Sequence, residues 1–215
     1  IIAAAGSGRR MGRELNKVFI PLAGRPTLEY SIRTLAACAG IEDLVVVAAP
    51  GEEADIGQML RESVVDKPWK VVTGGSERQY SVANALRAIS SDSDVIVIHD
   101  GARPLATPAS VEEAIASARK FGAAVVAVPV KDTIKTVDDA GFVTGTLDRR
   151  TVWSIQTPQA FRTSVLRQAY EKAERNGVLA TDDAALVEQI GVKVKIVSGS
   201  YRNLKVTTPE DLIMV

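Results

Sequence analysis

The sequence predicts an α/β fold, a three-layer open and mostly parallel sheet of the Rossmann-like kind, on three observations. Short apolar runs at Leu44 to Ala49, Val95 to Ile98 and Ala123 to Val130 are nearly continuous, as strands are when helices cover both faces of a parallel sheet. Longer amphipathic segments alternate with them, giving a βαβα order that requires right-handed crossovers. The chain has 215 residues, 46% of them hydrophobic, which matches one well-packed domain over 1–215.

In chain order, the first apolar segment runs into AAAGSGRRMG at Ala3 to Gly12. Ser76 with Gln79 has capping-box spacing ahead of a helix through Ala88. Thr107 and Pro108 read as N-cap and first residue of a helix that closes near Gly122. Thr133 to Val137 and Phe142 to Leu147 flank Asp138-Asp139-Ala140-Gly141, so a β-hairpin of half-polar strands is expected, an arm at about 131–152. It serves either as a surface decoration or as an arm reaching a second subunit. Thr181 reads as the N-cap of a helix from Asp182 to Ile190, and the chain stops inside a further predicted helix at Val215.

Composition removes several function classes. Lysine plus arginine equals aspartate plus glutamate, 26 against 26, so no global basic field exists to attract nucleic acid or an anionic membrane. Every apolar run is shorter than the ~18 residues of a membrane span. The single cysteine, Cys38, lies in an apolar helical pattern and reads as a small buried hydrophobe; a disulfide framework is excluded, and a reducing compartment is expected.

Ligands of such sheets bind at the carboxyl ends of the strands, which brings the Gly6 loop, the Gly74-Gly75 turn and the His99-Asp100 pair to one edge. Gly6-x-Gly8 lets backbone N–H groups approach a phosphate. A dinucleotide fingerprint needs glycine where Met11 stands, and a P-loop needs Gly-Lys-Ser/Thr where Arg9, Arg10 and Met11 stand, so both readings fail. The loop carries its own cations, with Lys17 close behind, and suits a triphosphate; a tight turn with solvated arginines is the competing reading. In HDGARP, Asp100 is a candidate partner for Mg²⁺ or a ribose hydroxyl, whereas His99, the only histidine, reads as a structural hydrogen bonder. No G-x-S-x-G elbow accompanies it, and no second histidine or cysteine offers a zinc site. Four polar clusters interrupt apolar segments: Asp148-Arg149-Arg150, Thr157-Pro158-Gln159, Thr181-Asp182-Asp183 and Asn203 to Thr207.

Taken together, AAAGSGRRM with Lys17, GGSERQYSV at Gly74 to Val82, HDGARP, the LDR at Leu147 to Arg149, TPQAF at Thr157 to Phe161, TDDA at Thr181 to Ala184 and NLKVTTPEDL from Asn203 resemble the 2-C-methyl-D-erythritol 4-phosphate cytidylyltransferase family over essentially the whole chain. The glycine loop is common to many nucleotidyltransferases; the ordered combination is far more specific. The resemblance implies a cytidylyltransferase of isoprenoid precursor biosynthesis that uses CTP with Mg²⁺, works as a homodimer, and is cytoplasmic, or plastidic in a plant. It implies that Ala4, Ala5, Gly6, Gly8, Arg10 and Lys17 surround the triphosphate, and that Gly75, Ser76 and Ser81 read cytosine. Asp100, Gly101 and Arg103 would lie by the ribose and incoming phosphate. Thr133, Arg149, Thr157, Thr181 and Lys205 would form the acceptor site, with Lys205 also near CTP and Arg149 donated across the dimer by the arm. Arg10, Lys17 and Arg149 carry the catalytic roles, and Mg²⁺ is held mainly by the CTP phosphates, with Asp100 as its candidate protein ligand. One departure stands out: the family often has Pro-Lys-Gln-Tyr where this chain has Asn16-Lys17-Val18-Phe19, although the lysine is in register.

The nearest rival is a D-ribitol-5-phosphate cytidylyltransferase. That family usually begins Ala-Gly-Gly where this chain has Ala4-Ala5-Gly6, and usually has valine where this chain has Ala102. Sugar-1-phosphate nucleotidyltransferases lack the TPQAF and TDDA set in this order, and a non-catalytic nucleotide-binding module would have no need of Arg10, Lys17 and Asp100 together.

Overall fold

A computed structural model describes residues 1–6, 16–63, 65–89 and 92–215, so the expectations for Gly8, Arg9 and Arg10 lie outside the described residues. The centre is a seven-stranded sheet made of β1 (Ile2–Ala3), β4 (Leu44–Ala48), β5 (Trp69–Thr73), β6 (Val95–Asp100), β7 (Ala123–Pro129), β10 (Trp153–Arg162) and β11 (Lys195–Ser198). Their order across the sheet is β11-β7-β10-β6-β1-β4-β5. All pairings are parallel except those of β10, which runs antiparallel between β6 and β7. The expected apolar runs are therefore interior strands of the sheet, flanked on both sides, and β6 extends two residues beyond VIVI to end on His99 and Asp100.

Alternation along the strands splits the core in two. Val46 and Ala48 of β4 point to the layer formed by α1 (Thr27–Ala36), α2 (Glu53–Glu62) and α4 (Pro108–Phe121). Val45 and Val47 point to the opposite layer of α3 (Arg78–Ala88), α5 (Thr163–Asn176) and α6 (Asp183–Gln189). Successive strand residues face opposite sides, so a strand buried on both needs apolar residues throughout. Cys38 is one of these core residues, 1% exposed, and burial pushes its thiol up to about 11, so it packs as a hydrophobe. No helix among the described residues is long and apolar enough to cross a membrane.

The helix α4 begins as the sequence predicts, with the Thr107 hydroxyl accepting from the Ser110 N–H and Pro108 in the first turn, and ends at Gly122 with φ 96°. Two capping expectations are corrected. Glu77, not Ser76, precedes α3, and no capping box forms, because Gln79 turns inward to donate to the Val178 carbonyl and accept from the Ala180 N–H. Asp182, not Thr181, caps α6, its carboxylate accepting from the Ala185 N–H at 2.9 Å. The hairpin expected near 131–152 consists of β8 (Lys135–Val137) and β9 (Val143–Thr146), and it exposes Val137, Phe142, Val143 and Leu147. The small antiparallel pair β2 (Pro21–Leu22) and β3 (Arg25–Pro26) precedes α1, and α7 (Pro209–Met214) follows the last loop.

Candidate active site

Two clefts meet at the carboxyl edge of the sheet. The first, of about 600 Å³, is lined by Ala3, Ala5 and Gly6 after β1, by the Gly74–Arg78 turn after β5, and by Lys17. The second, of about 510 Å³, lies between β10 and the start of α6, and Thr157, Gln159, Thr181, Asp182 and Arg103 line it. Three residues, Arg78, Asp100 and Lys205, line both.

Close approach fixes the glycines of the first cleft. A Cβ on Gly74 would stand 2.5 Å from the Ala5 Cβ, so the turn after β5 seats against the β1 loop only without a side chain there, and one on Gly75 would stand 2.5 Å from the Tyr80 Cβ of α3. Ser81 supports this turn: its hydroxyl accepts from the Gly75 N–H at 3.0 Å and donates to the Glu77 carbonyl at 3.0 Å. Lys17 opens a 3-10 turn, Lys17–Phe19, that Asn16 ties down. The buried Asn16 amide donates to the Ala4 carbonyl at 3.1 Å and the Glu52 carboxylate at 2.8 Å, which puts the lysine beside Gly6. Asparagine, where the family often has proline, therefore secures the turn by hydrogen bonds.

Asp100 ends β6 at the junction. One of its oxygens, Oδ2, lies 2.9 Å from the Lys205 ammonium and 3.4 Å from Arg103, and Oδ1 lies 3.9 Å from Arg78. Burial alone would raise its pKa, but Lys205, Arg78 and Arg103 outweigh burial and hold the carboxyl well below the usual carboxylate range. The last loop is tied to the same place, since the Arg103 guanidinium donates to the Asn203 carbonyl and the Val206 N–H donates to the Ala102 carbonyl. Lys205 is thereby set over the end of β6.

His99 is fully buried beneath this group. Its Nε2 faces the Arg103 carbonyl at 3.3 Å, which requires a proton on Nε2 and leaves Nδ1 to accept from the Thr157 hydroxyl at 3.0 Å. Thr157 Oγ1 in turn accepts from the Asp100 N–H at 3.0 Å. The histidine is a structural hydrogen bonder, as its place at a strand end at the sheet edge implies. Burial lowers its pKa from 6.5 to about 4. A depressed histidine leaves the unfolded chain binding more protons between those values, so stability is full above pH 6.5 and falls as acid is added. The expected loss is roughly 3 kcal/mol by pH 4, read from urea midpoints across this range, and His99→Asn is expected to remove that slope. An unchanged slope in the variant would refute the assignment.

Not every expected residue faces a cleft. Ala4 is 1% exposed and packs in the core, with its N–H donated to Val47 and its carbonyl held by Asn16. Gly101 likewise spends its N–H on the Ala3 carbonyl, and its own carbonyl accepts from Ser31. Ala5, Gly6, Lys17, Gly75, Ser76, Ser81, Asp100 and Lys205 line the first cleft, while Asp100, Arg103, Thr157, Thr181 and Lys205 line the second. Thr133 and Arg149 are exposed on the arm and line neither, and the Arg149 guanidinium donates to the Lys131 carbonyl at 3.3 Å. Sequence reasoning missed Arg78 and Gln159. Gln159 bridges the Asp182 carboxylate and the Ala184 N–H, joining β10 to the start of α6.

Comparison with known proteins identifies the family and the fold. The chain is 47% identical to a 2-C-methyl-D-erythritol 4-phosphate cytidylyltransferase of Caldanaerobacter subterraneus subsp. tengcongensis, covering 100% of this chain and 95% of the relative. It is 46% identical to the like-named protein of Desulforamulus reducens, with 100% and 92% covered. Among solved structures, the 4-diphosphocytidyl-2C-methyl-D-erythritol synthase of Anaerococcus prevotii superposes with a TM-score of 0.88 at 36% identity, covering 99% of this chain and 91% of that one. The family model described as IspD, 2-C-methyl-D-erythritol 4-phosphate cytidylyltransferase, matches residues 1–215, and the chain belongs to that family.

Proposed function

We propose that this chain transfers the cytidylyl group of CTP to 2-C-methyl-D-erythritol 4-phosphate. An oxygen of the acceptor phosphate bonds to the α-phosphorus, the bond to the bridging oxygen breaks, and 4-diphosphocytidyl-2-C-methyl-D-erythritol and pyrophosphate leave. The observation that carries this reading is the pair of clefts sharing the Arg78, Asp100 and Lys205 wall, which suits two anionic substrates that must meet at one point. The relatives' names favour the methylerythritol acceptor over ribitol 5-phosphate.

The difficulty of the reaction is electrostatic, since a phosphate monoester approaches a triphosphate. Lys17 and Arg10 stabilise the five-coordinate state and the departing pyrophosphate, and Lys205, Arg103 and Arg149 hold the acceptor in line. No general base is needed, because a phosphate monoester with a second pKa near ~6 is already largely the dianion at neutral pH. Neutral His99 has no part in proton transfer.

Among the described residues no cluster of three or more histidine, cysteine, aspartate or glutamate side chains comes together to hold a metal. Asp100 nevertheless fits a cation carried on polyphosphate: it is ionised at all ordinary pH, and among the described residues no hydrogen bond is donated to its Oδ1, which lies 3.9 Å from Arg78. Mg²⁺ is satisfied by one or two carboxylates with phosphate oxygens, and it supplies neutralisation of triphosphate charge. Asp100 would be its protein ligand.

The apolar residues exposed on the arm support a homodimer in which Arg149 of each arm serves the other subunit. Arg149→Ala is then expected to raise KM for the acceptor at least tenfold and to change kcat far less; an unchanged KM would leave the arm a surface decoration. One free cysteine and no disulfide fit the reducing cytoplasm. The test of the reaction is pyrophosphate release with Mg²⁺ and CTP, comparing 2-C-methyl-D-erythritol 4-phosphate with D-ribitol 5-phosphate at equal concentration. Turnover on the first is expected, and turnover on the second alone would refute the acceptor assignment.

A further inference from the structure

We propose that Arg78 is a further substrate-touching residue of this transfer, the cation on the wall between the two clefts, and that Asp183 and Tyr170 are the positioning residues that aim it. The inference rests on the reaction proposed above. Arg78 is the first residue of α3, directly after the turn that lines the nucleotide cleft, and its side chain also lines the acceptor cleft. Of the three residues common to both clefts it is, among the described residues, the one whose charge is paired with a carboxylate outside them.

That fixing is specific. Nη2 donates to Asp183 Oδ2 at 2.6 Å, and the other oxygen, Oδ1, accepts from the Tyr170 hydroxyl at 2.6 Å. Asp183 is 1% exposed, so its charge is balanced inside the protein by this guanidinium and not by water. A guanidinium held by one nitrogen keeps the rest of its planar fork for another acceptor. Among the described residues Nε meets only Asp100, at 3.9 Å, beyond hydrogen-bond range, and Nη1 makes no hydrogen bond. The side chain is 30% exposed, and its open edge faces the junction where both phosphates would lie. Burial works against its charge, but the attraction and hydrogen bond of Asp183 raise its pKa, so the cation persists when the clefts lose water.

A staple between α3 and α6 would use the same pair without touching substrate, and kinetics separate the two roles. Pyrophosphate release is measured with CTP and 2-C-methyl-D-erythritol 4-phosphate varied in turn, for wild type, Arg78→Ala, Arg78→Lys and Tyr170→Phe, together with each protein's Tm. Arg78→Ala is expected to lower kcat about 10²-fold and to recover at least tenfold when methylguanidinium is added. Arg78→Lys, which keeps the charge but not the fork, should fall between. Tyr170→Phe loosens only the far end of the string and should cost up to about tenfold in kcat, with a Tm lowered by only a few degrees, roughly the loss of one buried hydrogen bond. Variants whose kcat and both KM values stay within twofold of wild type would overturn the proposal. So would losses that follow Tm alone and do not respond to methylguanidinium. A wild-type protein that releases no pyrophosphate from this substrate pair would overturn the proposed reaction, and this assignment with it, whereas an active wild type matched by Arg78→Ala would overturn the assignment alone.

Discussion

Lys17→Ala is expected to lower kcat by about 10²–10³, the loss found when one preorganised group aimed at transition-state charge is removed. The magnitude follows from how the lysine is held. Asn16, 5% exposed, makes the hydrogen bonds that anchor the 3-10 turn, and these run through its amide to Ala4 and Glu52. The turn therefore survives truncation of Lys17, and the ammonium is lost from an otherwise intact cleft beside Gly6. Negative charge grows on the bridging and leaving oxygens only as the α-phosphorus bond breaks, so the loss falls mainly on kcat and less on KM for CTP. Steady-state pyrophosphate release against CTP concentration measures both. A variant with near wild-type kcat would remove Lys17 from the chemistry, and one that raised KM alone would make it a binding residue.

Legibility in the sequence divided along physical lines. The strands with both faces buried could be read directly, because such strands must be apolar throughout, and Val95 to Ile98 also gave the location of Asp100. Strand β10 could not: Trp153–Arg162 contains Ser154, Gln156, Thr157, Pro158 and Gln159, a polar run that resembles a loop. Its pairing with β7 shifts register between Ile155 and Gln159, and that irregularity turns Gln156 and Thr157 toward Asn203 and His99 instead of into a regular ladder. The second cleft thus owes its floor to a strand whose apolar pattern is broken. Arg78 was hidden for another reason. Its partner Asp183 is 105 residues away, and only the fold, which brings the first residues of α3 and α6 within hydrogen-bond reach, shows that an arginine after a glycine turn is not a solvated surface charge. His99 could be read as structural from its place at a strand end, and a dianionic acceptor, as proposed, needs no base.

Asp100→Asn is expected to combine the largest loss of stability with a loss of turnover, because one carboxylate collects three cations. Removing one partner of a buried pair costs ~3–5 kcal/mol, and here Lys205 keeps 37% of its side-chain exposure and Arg78 keeps 30%, so screening brings the expected loss to about 2–3 kcal/mol. The amide also points a donor at groups that can only donate, and with Arg78, Arg103 and Lys205 left to repel one another the wall shared by the clefts spreads. Both KM values should rise, unlike the Lys17 result. The pH dependence identifies the cause. Asp100 titrates in the folded protein well below its unfolded value near ~3.9, so its contribution is complete above about pH 4 and is lost as pH falls toward the folded value, by about 1.4 kcal/mol per pH unit. Between pH 7 and 4 the urea stabilities of wild type and Asp100→Asn should decline together, following His99. Below pH 4 only the wild type has this carboxylate to protonate, and the gap should close. A gap that stays constant down to pH 2 would mean that the asparagine disturbs packing, and that the three cations do not depend on the charge of Asp100 for their arrangement.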